Sequence, residues 1–298
     1  MFTTIVAASD GQHGRGAAAL GQALASATGA RLLLVGVELP LVAQFPEVRA
    51  ELEAGLRNVH DELSPDAREQ IVIDISAARA LRRIAEEEQA DLMVVGSRQP
   101  GALRRLASGD TAMQVLHGAP CAVAVAPDHV PPSRELQTIG VGINATAEAR
   151  AARDVACELA QRSGAAVRLL AVAGNAYPGS ANLVTDASYT DLYADIIERR
   201  VRAAREAVEE SLAACNADAT ATGDVRIGDP IDELVALSSK CDLLVLGSRR
   251  WGLVRRLVLG TTSEPVIRHA QCPVLVVPRH GESEHDEPRD SEHSMVIF

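Results

Sequence analysis

Asp242-Leu243-Leu244-Val245-Leu246-Gly247-Ser248-Arg249 decides the fold, because Asp91-Leu92-Met93-Val94-Val95-Gly96-Ser97-Arg98 spells nearly the same string earlier in the chain. From Gly96 to Gly247 the offset is 151 residues. The same offset carries Gly101 to Gly252, Arg104-Arg105 to Arg255-Arg256, Gly109 to Gly260, Cys121 to Cys272 and Pro127 to Pro278. Upstream, Thr4-Ile5-Val6-Ala7-Ala8 answers Thr138-Ile139-Gly140-Val141-Gly142 at a shorter offset, because the second half holds a longer middle segment around 175–195. The chain is therefore written twice.

The repeat predicts two domains, 1–127 and 138–279. They are joined by a linker at 128–137 that contains Pro131-Pro132 and followed by a disordered acidic tail at 280–298. β-rich runs at 3–8, 31–37, 71–75, 91–95 and 121–126, and at 138–142, 167–173, 224–227, 242–246 and 273–277, alternate with helical stretches. One such stretch repeats Ala149, Ala152, Val155, Ala156, Leu159 and Ala160 at three- and four-residue spacing, a single apolar stripe. Leu243 to Leu246 is apolar at every position, as a strand covered on both faces requires. The fold class is α/β: two tandem doubly wound, Rossmann-like domains, each a five-stranded parallel sheet flanked by helices. Its ligand crevice is expected at the carboxyl ends of the strands. The two fifth strands are expected to pair, making an intrachain pseudo-dimer that covers both sheet edges.

Composition removes several function classes. Of 298 residues 47% are hydrophobic, enough for a large core, while a net charge of -11 and 2% aromatic content argue against a nucleic-acid partner. Lys240 is the sole lysine and has no glycine beside it, which excludes a Walker A loop and a lysine Schiff base. No Gly-x-Ser-x-Gly elbow occurs, and His13, His60, His117, His129 and His269 lack metal-ligand spacing, so they read as surface or helix-end residues and the chain reads as no enzyme. The N-terminal residues lack a signal pattern and no apolar run reaches membrane-spanning length, which predicts a cytoplasmic protein with no membrane partner. The five cysteines, 121, 157, 215, 241 and 272, are too far apart for CxxC pairs and are expected to be reduced core thiols.

The informative loop is Gly247-Ser248-Arg249-Arg250-Trp251-Gly252, which leads on to Gly260-Thr261-Thr262. Glycines let a backbone approach a ligand, and small hydroxyl residues at a helix start add donors where the helix dipole favours an anion. That pattern fits a phosphate cradle; it equally fits a strand end at Gly247 and a plain helix cap at Thr261 or Thr262.

On these residues both halves resemble universal stress protein domains, within the adenine nucleotide alpha hydrolase-like folds. The nucleotide-binding members of that family carry G-x-x-G, nine residues, then G-[ST]. Gly247, Ser248, Arg249, Gly252, Gly260, Thr261 and Thr262 occupy this region in the second half, with Arg250 at the second glycine's place. In the first half Gly96, Gly101 and Gly109 remain, but Gln99 and Asp110 break the motif. On the adenosine side the resemblance implies Asp10 and Val37 in the first half, Asn144 and Val172 in the second. The implied ligand is ATP, with Mg2+ as its companion ion, and the implied role is a nucleotide-responsive stress regulator that forms homodimers. The alternative is a scaffold whose degenerate sites bind no nucleotide. A carboxylate at Asp110 about 4 Å from a phosphate costs about 4 kcal/mol at an effective dielectric of 20, whereas Asn144 for aspartate forfeits one charge-assisted bond worth about 1.5 to 3 kcal/mol. The second half is thus expected to be the better triphosphate site.

Overall fold

The computed structural model describes residues 1–9, 14–41, 44–97, 111–127, 135–174, 187–215 (side chains from 194), 220–248 and 257–279. The first half runs β1 (Thr4–Ala8), α1 (Arg15–Thr28), β2 (Arg31–Glu38), α2 (Pro46–Leu63), β3 (Arg68–Ile73), α3 (Ala77–Glu87), β4 (Leu92–Ser97), α4 (Thr111–Leu116) and β5 (Ala122–Pro127). The second runs β6 (Thr138–Ile143), α5 (Ala147–Ser163), β7 (Ala166–Gly174), α6 (Ala187–Ala214), β8 (Ala221–Gly228), α7 (Pro230–Ser238), β9 (Leu243–Gly247), α8 (Ser263–His269) and β10 (Val274–Val277). The expected α/β class holds, with one addition: the two parallel sheets are fused into a single ten-stranded sheet ordered β3-β2-β1-β4-β5-β10-β9-β6-β7-β8.

The seam is the expected pairing of the fifth strands, antiparallel, with Val274 opposite Val125 and Val276 opposite Val123. Every other pairing is parallel, so all strands of one half run opposite to those of the other and their carboxyl ends lie at opposite edges of the sheet. Helices cover both faces. α1, α2, α5 and α6 pack on one face over Ile5, Leu34, Ile139 and Leu169, and α3, α4, α7 and α8 on the other over Val6, Met93, Leu244 and Val276. Each of these two apolar layers runs across the seam, so neither half has a core of its own. The stripe read from sequence is the buried face of α5, which ends at Gly164 in the left-handed conformation (φ +75°) that glycine adopts without a Cβ penalty.

The Asp that opens each copy of the repeated string closes the amino-terminal side of its half. Asp91 Oδ2 accepts from Thr3 N (2.7 Å), Thr3 Oγ1 (2.6 Å) and Thr4 N (3.1 Å), and Asp242 Oδ2 accepts from Gln137 N (3.0 Å) and Thr138 N (2.8 Å). A carboxylate there satisfies backbone N–H groups that begin β1 and β6, on the side where pairing with β4 and β9 starts only at Ile5 and Ile139.

Two sequence expectations are corrected. β3 begins three residues before the predicted 71–75 run and β8 before 224–227, because both are edge strands that leave Arg68, Thr222 and Asp224 exposed, so polar residues there do not signal a loop. The cysteines are not all reduced: Cys157 on α5 and Cys215 just after α6 form a disulfide. The two helices lie on the same face of the sheet, which brings those Cα atoms to 5.6 Å although 58 residues separate them. Cys121, Cys241 and Cys272 are free thiols.

Candidate nucleotide crevice

In each half the chain crosses to the far side of its first strand at one place, between β1 and β4 or between β6 and β9, and the crevice of a doubly wound sheet opens there. In the second half the structure brings Asn144 (just beyond β6), Val172 (β7), and Gly247 with Ser248 (end of β9) to adjacent strand ends, and Gly260-Thr261-Thr262 leads directly into α8. Arg249 and Gly252 lie outside the described residues, as do Asp10, Gly101 and Gly109 of the first half and the motif-breaking Asp110 and Arg250. Val37 and Gly96 hold their expected places near the ends of β2 and β4.

The two readings of the glycine loop separate by atom. A Cβ on Gly247 would stand 2.5 Å from the carbonyl oxygen of Glu148, so this glycine is required for the first turn of α5 to lie against the end of β9. The hydroxyl residues behave otherwise. Thr262 stands at the N-cap of α8 without a side-chain capping bond, and among the described residues neither Thr261 nor Thr262 has a hydroxyl hydrogen bond. Ser248, 2% exposed, has a buried Oγ with no hydrogen-bond partner, although its N–H is satisfied by Val277 O at 2.9 Å. A buried hydroxyl without a partner carries a desolvation cost of about 1 to 3 kcal/mol, which a bound acceptor would relieve.

Asn144 is engaged locally. Its Oδ1 accepts from Thr146 N (2.9 Å) and Thr146 Oγ1 (2.6 Å), and Thr146 Oγ1 in turn caps α5 by accepting from Ala149 N (3.3 Å). The side-chain amide N–H groups of Asn144 remain the part available to a ligand. The exit of the glycine loop is held by the other half: Leu257 N donates to Ala119 O (3.0 Å) and Gly118 N to Leu257 O (3.1 Å). The position of Gly260, three residues later, thus depends on the turn before β5.

One residue of consequence escaped the sequence reading. Glu38 ends β2 beside Val37 and is 3% exposed; neither carboxylate oxygen has a hydrogen bond, and the nearest cation, Arg49 Nη1, is 3.8 Å away. The residue at the corresponding position of the second half is Ala173, read from the register of β1 on β2 and β6 on β7. A glutamate closing an otherwise apolar strand run was its signal. It puts a buried carboxyl group at the carboxyl edge of the first half where the second has a methyl group.

The histidines sit at helix ends: His117 Nδ1 is 2.8 Å from Met113 O and His269 Nδ1 2.8 Å from Pro265 O, while His13 and His129 lie outside the described residues. Among the described residues no cluster of three metal-binding side chains occurs, and no helix is long and apolar enough to cross a membrane. Grooves of about 510 and 560 Å³ lie away from the crevice, one between β7, β8 and α7 and the other along α6.

The model of the family described as "Universal stress protein family" matches residues 1–127 and again 135–278. A universal stress protein of Mycobacterium tuberculosis is 28% identical over 223 residues, 68% of this chain and 69% of that protein. One from Thermus aquaticus is 35% identical over 133 residues, 41% of this chain and 97% of its own length. Among solved structures, a universal stress protein from Archaeoglobus fulgidus superposes with a TM-score of 0.65 at 16% identity, covering 93% of this chain and 96% of that one, a likeness of fold.

Proposed function

Because the chain belongs to the universal stress protein family, we propose that it is a cytoplasmic stress regulator that binds ATP with Mg2+ in its second half and signals through nucleotide state without a catalytic site of its own. The observation that carries this reading is the buried, unpartnered Ser248 hydroxyl at the end of β9. Donors of the same chemistry follow at the far end of the same loop, since Thr261 and Thr262 leave their hydroxyls uncommitted at the start of α8 and Gly260 lets the backbone come close. In this reading Ser248, Gly260, Thr261 and Thr262 hold the phosphates, with Arg249 and Gly252 in the same loop. Asn144 and Val172 face the adenosine. The first half, with Asp110 at its phosphate end and Glu38 buried at the end of β2, binds weakly or not at all despite Asp10, Val37, Gly96, Gly101 and Gly109. Domain limits at 127 and 138, an acidic tail from 280 and homodimer formation belong to the same proposal.

Titration calorimetry of the full chain with ATP and MgCl2, together with nucleotide analysis of the protein as purified, tests it. One nucleotide per chain is expected. No heat and no co-purified nucleotide would instead favour the scaffold that works through protein contacts alone.

A further inference from the structure

Two thiols outside the crevice face each other. Cys241 lies in the turn before β9 and Cys272 in the turn before β10, and their sulfur atoms are 3.7 Å apart. Three features of the fold hold them there. Pairing of β9 with β10 places Val274 beside Leu244, so the residues ahead of both strands are neighbours. Gly140 on β6 leaves room for the Cys241 sulfur, which would be 2.9 Å from a Cβ at that position. Each sulfur also lies 3.4 Å from a main-chain carbonyl oxygen, Cys241 from Leu237 O and Cys272 from Pro273 O.

The repeat supplies an internal control. Cys121 is the twin of Cys272, but the twin of Cys241 is Ala90, so the first half has a single thiol with no partner. The two environments differ chemically as well. Burial, helped by the charge of Asp91, pushes the Cys121 thiol up to about 12. The Cys241 thiol is lowered, chiefly by its hydrogen bond with Cys272 and then by the Gly140 main chain, against burial and the charge of Asp242, which Arg168 opposes; Cys272 is correspondingly raised. Cys241 is half-buried, whereas Cys272 is buried. Cys241 also adjoins the 510 Å³ groove, since Leu237, Lys240 and Arg168 line it. Cys241 is thus the nucleophile and Cys272 the thiol positioned to resolve it.

We propose that Cys241 and Cys272 form a peroxide-responsive pair that closes into a second disulfide of the second half. The Cys241 thiolate attacks one oxygen of hydrogen peroxide; the O–O bond breaks, sulfur becomes sulfenic acid and hydroxide leaves. Cys272 then attacks the Cys241 sulfur, the S–O bond breaks, and the thiol proton leaves with the hydroxide as water. The sulfur atoms need to close by roughly 1.7 Å to reach disulfide length, a movement within reach of side-chain rotation in two turns. The bridge would join the two ends of the segment that carries β9, the glycine loop and α8.

The test uses the full chain. Under native conditions iodoacetamide is expected to label Cys241 at least about tenfold faster than Cys121. Addition of hydrogen peroxide should abolish that labelling and yield a peptide pair linked through Cys241 and Cys272, mapped by mass spectrometry beside the Cys157–Cys215 pair. In Cys272→Ser the reaction should stop at sulfenic acid, which dimedone traps on Cys241. If that variant fails to fold, the linked peptide in the unaltered chain decides. Both thiols still free after peroxide, or a link that uses Cys121 instead, would overturn the proposal.

Discussion

The two halves share a strand order, a closing aspartate and a covering pattern of helices, yet their crevices differ in charge and in spare donors. The second half buries the Ser248 hydroxyl without a partner where its twin Ser97 is half-exposed, has Thr261 in the place of Asp110, and has alanine where the first half buries Glu38. Duplication preserved what builds a doubly wound sheet, and the residues facing the crevice were free to diverge. Scaffold and site answer to different constraints: a strand position is fixed by layers on both of its faces, whereas the segments at the strand ends are packed on fewer sides.

The largest expected effect breaks that comparison outright. Gly260→Asp places a carboxylate where the second half has buried backbone, and ATP affinity should fall by about 4 kcal/mol, roughly a thousandfold, by calorimetry. The reverse exchange, Asp110→Ser, should bring measurable affinity to the first half. Should Gly260→Asp leave binding intact while Asp10→Ala removes it, the two crevices have been assigned the wrong way round.

Stability gives the next contrast. Only the second half is bridged among the described residues, and a cross-link spanning 58 residues is worth up to about 4 kcal/mol through the unfolded chain. The double variant Cys157→Ser, Cys215→Ser should lower the denaturant midpoint accordingly, with local exchange rising in α5 and α6 before it rises in α1 and α2. Equal loosening of both halves would mean that the shared core layers, and not the bridge, set cooperativity.

The twin aspartates should differ less. Asp91→Asn loses three charge-assisted bonds and Asp242→Asn two, so the first should be the costlier, within about 1.5 to 3 kcal/mol for either. Burial works against the Asp91 carboxylate, but the bonds from Thr3 and Thr4 outweigh it and hold its pKa below 3.8. Its contribution is therefore complete above that value and lost as pH falls through the depressed one, and Asp91→Asn should flatten the acid limb of the stability profile.

The smallest step belongs to His60 in α2. Its pKa is raised above 6.5, first by the bond to Asp61 at 3.0 Å, with Glu69 and the Ala67 carbonyl assisting against burial. The protonated ring stabilises the fold below 6.5, and that share fades as pH rises through the raised value. His60→Gln should erase this shallow step in a urea titration across neutral pH, while the acid limb due to Asp91 remains.

Most of the fold was legible because the repeat reports it twice: Leu243 to Leu246 and its twin read as buried strands and are buried strands. Pairing of the fifth strands followed from their apolar edges. The site was less legible. Gly247 reads as loop freedom, but its decisive neighbour, the Glu148 carbonyl, lies about a hundred residues away and comes into contact only after α5 has packed. The Cys157–Cys215 bridge was hidden for the same reason, since spacing along a chain carries no information on which helices share a face. Asp91 and Asp242 opened both copies of the repeated string, and Thr3-Thr4 and Gln137-Thr138 held the matching places before β1 and β6. That coincidence was the available sign of a structural closure.

The antiparallel seam between β5 and β10 has a consequence for inheritance. In a dimer of identical chains, any substitution at one crevice is copied to the other by symmetry, so neither can specialise. Here the seam lies within one polypeptide: its two sides are never diluted apart, and no exchange with another molecule can pair like with like. Each crevice is then a separate heritable character, and a mutation that silences one leaves its opposite intact.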